Sequence, residues 1–148
     1  MNPRLFLDTN ILLDILLERP GYQSALEILQ EGSDGKVSLH TSILSMANIA
    51  YVLRKTLNQN ILIPTLKQIS VLVDVLPMDA AILDKALLLS GPDFEDILQA
   101  VCAAQGNCDF LVTHNPKHFN IQQGLAPDWT SPEIIAPEEF AARRVPSL

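Results

Sequence analysis

Cysteine is scarce in this chain, and its pattern excludes two readings. The two residues, Cys102 and Cys108, make neither a C-x-x-C pair nor a disulfide framework, so both read as reduced thiols, with Cys102 in a core. Positive charge is scarce too. Ten Lys and Arg against seventeen Asp and Glu leave a formal charge of −7. That balance argues against broad polyanion binding, which neutralises phosphates with basic side chains. A nucleic-acid enzyme whose carboxylates surround a cation remains open, because the bound ion inverts the local field. Long apolar runs are missing as well. No stretch approaches the roughly 20 residues of a membrane helix, yet 48% hydrophobic and 18% charged residues suit a folded chain rather than a disordered one. No basic, then apolar, then small-residue leader opens the sequence, since Asp8 and Asn10 interrupt the first apolar run. The expectation is a cytoplasmic protein without a membrane segment. The phosphate-binding G-x-x-x-x-G-K-[ST] loop, the G-x-G-x-x-G fingerprint and the G-x-S-x-G elbow are absent, which removes the common nucleotide and serine-hydrolase readings.

What is present fits one domain over residues 1–148, because no repeat, low-complexity tract or linker divides the 148 residues and the length suits one core. Arg4–Leu7 reads as a buried strand, Asp8-Thr9-Asn10 as a strand-to-helix turn, and Ile11–Leu17 as a helix stopped by Arg19-Pro20-Gly21. Tyr22–Gln30 predicts a helix and Val37–Thr41 a strand with His40 at its end. A helix from Met46 to Leu57 follows, capped by Ser42 or Ser45, with Ile49, Val52 and Leu53 facing inward. Ile63-Pro64-Thr65 opens another helix, and Val71–Leu76 reads as a strand. Further helices are expected over Asp79–Leu89, from Asp93 to Gln105 and from Pro137. Asp109–Val112 and Glu133–Ala136 read as strands, and Asn120–Ser131 as a loop. Strands alternating with helices predict an α/β fold with a parallel sheet covered on both faces, because parallel strands need long crossovers.

Ligands of an open parallel sheet bind at the carboxyl ends of its strands. Asp8 ends the first strand, while Thr113, His114 and Asn115 follow the Asp109–Val112 strand, so they share an edge. Asp93 and Asp96 lie on neighbouring places of one helical face and can converge on the point that Asp8 reaches. Glu95 projects elsewhere on that helix, although fraying of the first turn could let it approach. Asn10, Asn48 and Asn115 supply neutral polar groups around this centre. Each residue has a second reading. Asp93 and Asp96 equally suit a helix N-cap and first turn, and Asp8 could cap the helix after it. Asn48 could be a buried structural amide, which would still require partners; Thr113 and Asn115 could form a turn ahead of Pro116. His114 and His118 have zinc-like spacing, but Pro116 lies between them and no cysteine completes a tetrahedron. A covalent aspartyl phosphatase would want a second aspartate two residues after Asp8, where Asn10 stands.

Taken together, the segments LDTNILLDILLERP, TSILSMANIAYVLRK, GPDFEDILQAVCAAQGNCDFLVTHNPKHF and IIAPEEF resemble the PIN domain family, specifically its small bacterial members. The likeness spans nearly the whole chain. It implies a three-layer α/β/α sandwich with a mainly parallel sheet and a magnesium- or manganese-dependent ribonuclease, often the toxin of a toxin–antitoxin pair. An RNA substrate, an antitoxin protein and a homodimer are the partners so implied. Carried over by position, Asp8 is the first acidic metal ligand and Asp96 the helix acid, with Asp93 beside it as a catalytic residue; Thr9, Asn10, Asn48, Thr113 and Asn115 support them. The chain departs from the fullest pattern where Asn48 replaces a glutamate, Asn115 an aspartate, and His118 an acid. Magnesium takes one or two carboxylates plus waters and phosphate oxygens, so Asp8 and Asp96 can still hold one ion. The alternative is a catalytically weak domain that binds RNA or protein.

Overall fold

The computed structural model describes residues 2–119, 121 and 130–144. Five parallel strands form one sheet in the order β3-β2-β1-β4-β5. They are β1 (Arg4–Leu7), β2 (Ser38–Ser42), β3 (Asp74–Leu76), β4 (Phe110–Val112) and β5 (Glu133–Ile135). The period-two alternation of a strand sends successive side chains to opposite faces. Leu5 and Leu7 therefore join one core cluster and Phe6 the other, as do Val112 and Leu111 of β4. Against the Leu5 face pack α1 (Thr9–Leu17), α2 (Tyr22–Ser33), α3 (Ile43–Leu53), α4 (Gln59–Leu72) and α7 (Pro137–Arg144). Against the Phe6 face pack α5 (Ala80–Leu87), α6 (Phe94–Gln105) and the 3-10 turn Pro116–Phe119. This is the expected α/β/α sandwich. Fully burying a side chain such as Phe6 contributes about 1.5–3 kcal/mol, and both faces are lined in this way, so the central strand is fixed from either side.

Local chemistry sets the element starts. Asp8, Ser42, Asp79 and Asp93 sit extended at N-caps and accept from backbone N–H groups of Thr9, Ser45, Ile82 and Asp96, supplying partners that the first turn of a helix lacks. Of the two serines proposed as caps, Ser42 serves.

Four sequence expectations need correction. The fourth helix begins at Gln59, not at Pro64, and carries Pro64 inside it. Buried Leu62 and Ile69 anchor the helix on either side of the exposed proline, and that packing outweighs the lost backbone bond. The strand expected over Val71–Leu76 is only Asp74–Leu76, because the helix persists through Leu72 and turns Val71 outward at 84% exposure. Val52 is 38% exposed, whereas Ile49 and Leu53 are buried as expected. His40 lies within β2, buried, rather than at its end. The loop expected over 120–131 lies outside the described residues except at Ile121, Thr130 and Ser131. No helix among the described residues is long and apolar enough to cross a membrane.

Candidate active site

The strand order places β2 and β3 on one side of β1, and β4 and β5 on the other. Chain direction across the sheet therefore reverses between β1 and β4, and a crevice opens there at the carboxyl ends of the strands. Asp8 leaves β1 at this point and Thr113 leaves β4. Their side chains meet across the crevice: the Thr113 hydroxyl donates to Asp8 Oδ2 at 3.0 Å, while the Thr9 N–H donates to Asp8 Oδ1 at 2.9 Å. One carboxylate thus caps α1 and faces the crevice, so the capping and functional readings of Asp8 are compatible.

The first turn of α6 closes the other side. Asp93 caps it, accepting from the Asp96 N–H at 3.2 Å, and both carboxylates line a cleft with Asp8, Asn10, Glu95, Thr113, Asn115, His118 and Phe119. Glu95 takes the approach that the first turn of α6 leaves open to it. It reaches into the cleft and accepts from Asn48 Nδ2 at 2.6 Å, because a long side chain in the first turn can bend past the helix end. Asn48 is half-buried rather than buried, and its amide holds the Glu95 carboxylate of α6. Thr9 turns its hydroxyl away from the cleft, donating to Ser45 Oγ at 2.9 Å. There it joins a buried group in which Gln99 of α6 donates to Ser45 Oγ at 2.7 Å and accepts from Ser42 Oγ at 2.5 Å. These neutral bonds tie α1, α3 and α6 together beneath the acids. Asn10 and Asn115 line the cleft, and Asn115 is exposed.

The carboxylates crowd one another. Burial, then repulsion from Asp93, Asp8 and Glu95, pushes the Asp96 carboxyl up to about 7. Burial also raises Asp8, against the hydrogen bonds from Thr113 and Thr9 that favour its ionised form. Burial disfavours the charged form of a carboxyl, and like-charged neighbours act in the same direction. Among the described residues no group of three or more His, Cys, Asp or Glu side chains could hold a metal ion. The zinc spacing of the histidines has no geometric counterpart: His114 pairs with Asp14, while His118 lines the cleft. A magnesium ion that keeps several waters asks less of the protein, and the donor set of Asp8 and Asp96 fits that mode.

Asp14 was missed, and a signal for it existed. A charged residue within the apolar run ILLDILL needs a buried partner, and Asp14, 5% exposed, has His114 and, at 3.6 Å, Arg19 Nη1.

Comparison with known proteins places this geometry. No curated protein sequence matches the chain. Among solved structures, VapBC2 from Rickettsia felis bound to a DNA fragment from their promoter is similar at 20% identity and a TM-score of 0.62, covering 90% of this chain and 98% of that one. FitAcB from Neisseria gonorrhoeae is 23% identical with a TM-score of 0.63 over 90% and 98% of the two chains. A toxin–antitoxin complex from Klebsiella pneumoniae is 16% identical with a TM-score of 0.62 over 90% and 97%. These identities speak to the fold. The sequence pattern of the PIN domain matches residues 4–117, a span that contains Asp8, Asp93 and Asp96, and the chain belongs to the PIN domain family.

Proposed function

We propose that the protein is a metal-dependent ribonuclease that hydrolyses phosphodiester bonds, and that it is the toxin of a toxin–antitoxin pair. The observation that carries the reading is the convergence of Asp8, Asp93, Glu95 and Asp96 on one cleft at the sheet's switch point, with the Asp96 carboxyl pushed up to about 7. Asp8 and Asp96 are the ligands of a magnesium or manganese ion. When bound, such an ion polarises a phosphoryl oxygen and makes water acidic enough to attack at neutral pH. The Thr113 hydroxyl and the Thr9 N–H hold the Asp8 carboxyl aimed at the cleft and favour its ionised form against the burial that raises its pKa. Asp93 fixes the first turn of α6, hence the position of Asp96, and can accept a proton from an attacking water. Asn10 and Asn115 offer amide donors to phosphate oxygens. The likeness to a structure described as a toxin–antitoxin complex supports an antitoxin partner, and the family resemblance supports RNA as substrate and a homodimer as the assembly.

A second reading, a domain that binds RNA or protein and cuts weakly, is favoured by one observation. Asn48 and Asn115 bring no charge, and Asn48 engages Glu95. One experiment separates the two. Unstructured RNA is incubated with the protein and manganese or magnesium, alongside chelator and the Asp96→Asn variant. Cutting is expected only in the first arm. RNA bound but intact with either metal supports the second reading, and cutting that survives both chelation and substitution overturns the site.

A further inference from the structure

Among the described residues the cleft is lined by four carboxylates and no Lys or Arg, yet the substrate proposed for it is a polyanion. A cation beyond the ion itself must meet the flanking phosphates, and one side chain is placed to do so. Helix α1 ends at Leu17, and its C-cap Glu18 adopts a left-handed φ of 48°. That turn reverses the chain, and the Arg19 N–H donates to the Asp14 carbonyl at 3.0 Å. The Arg19 side chain then runs back along α1 toward the helix start. Asn10 and Asp14, four residues apart, lie on one helical face, and the guanidinium lies against both. Its Nη1 donates to Asn10 Oδ1 at 3.3 Å and stands 3.6 Å from Asp14 Oδ1. Asn10 is itself a cleft residue, so the guanidinium sits one side chain from the acids.

Two further facts show that Arg19 is not consumed by holding Asp14. The close partner of that buried carboxylate is His114 on its other oxygen. Arg19 remains 39% exposed, and its sole hydrogen bond from the guanidinium among the described residues is the one to Asn10, although a guanidinium carries five N–H donors in a fork that suits phosphate. We infer that Arg19 is a substrate-contacting residue, positioned by Asp14 and Asn10, whose guanidinium takes a backbone phosphate flanking the scissile one. The inference rests on the nuclease reading and assigns the cationic half of its binding surface.

The test measures binding of a labelled, unstructured oligoribonucleotide in an Asp96→Asn background, across a range of monovalent salt. Arg19→Gln is expected to weaken binding by about tenfold and to reduce the slope of log K against log salt by about 0.7, the loss of one single-strand phosphate contact. Arg19→Lys should keep the slope and lose part of the affinity, since a point charge replaces a fork. The Asp14→Asn, Arg19→Gln double variant removes the Asp14 carboxylate together with the Arg19 guanidinium that faces it, and it should bind as weakly as Arg19→Gln alone. An unchanged slope in Arg19→Gln, or full binding regained in the double variant, overturns the inference and returns Arg19 to the role of counter-ion for Asp14. Failure of the unaltered protein to bind or cut RNA overturns the nuclease reading and this inference with it, an outcome distinct from the first two.

Discussion

Asp96 combines burial with three like-charged neighbours, and its protonation reports on the whole cleft. Its carboxyl is raised from 3.8 to about 7. Between those values the folded protein holds a proton that the unfolded chain has released. This contribution to stability is therefore fully present below about pH 4 and is lost as pH rises through about 7. Asp8, also raised, acts in the same sense. Buried His40 is lowered by burial and by Arg4, so its effect runs oppositely, with stability lost as pH falls below about 6.5. The informative quantity is then a difference between two proteins that share His40. Without metal, Asp96→Asn should melt above the wild type at about pH 8, and the gap should narrow as pH falls below about 7 and close below about pH 4. A gap independent of pH would mean that the carboxyl titrates in its ordinary range. At this scale the sequence shows where acids stand but not where long side chains reach. Asp8, Asp93 and Asp96 were legible because strand ends and N-caps fix short side chains through the backbone. Glu95 was legible only as an alternative, because its reach to Asn48 depends on how α3 and α6 pack.

Packing between elements decides two further positions. Gly32 lies in the last turn of α2 against β2, and a Cβ added there would collide with Leu39 Cδ1 and stand 2.7 Å from its Cγ. Leu39 is buried in the core of that face, so it cannot simply swing clear. Gly32→Ala should therefore cost about 1–3 kcal/mol through overpacking, against a helix-propensity gain of about 1 kcal/mol, for a net loss in chemical denaturation. A stabilised variant would show that α2 shifts freely on the sheet. Pro64 predicts the reverse. It lies exposed inside α4 and denies the Asn60 carbonyl a backbone donor, so Pro64→Ala should restore that bond and raise stability by about 1–2 kcal/mol, after the greater freedom of the unfolded chain is deducted. Unchanged stability would mean that the helix already bends around the ring at no cost. Both positions show why element order was legible and boundaries were not. Alternating apolar patterns gave strands and helices in sequence, whereas Pro64 signals a helix start in any local reading, and only the burial of Leu62 and Ile69 on either side overrules it.

Across the whole molecule the formal charge is −7, and Asp8, Asp93, Glu95 and Asp96 contribute four acids at one point of the sheet edge. The sandwich holds them there because the β1–β4 crevice, the capped start of α6 and the buried bonds from Gln99 to Ser42 and Ser45 are set by the two cores rather than by the acids themselves. Repulsion in the cleft is thus carried by the fold as a whole, and its relief should appear in global stability. A ligand that binds only the folded state stabilises it by about 2.7 kcal/mol at one hundred times its dissociation constant, which for a chain of this size shifts melting by roughly 5–10 °C. Saturating manganese or magnesium should produce such a shift. Monovalent salt at equal ionic strength should produce a smaller one, since it screens without coordinating. The Asp8→Asn, Asp96→Asn variant should melt above the wild type when no metal is present, and should lose the divalent shift while keeping the monovalent one. If the variant keeps the full divalent shift, cations stabilise the protein through its overall charge, and the cleft is not where they bind.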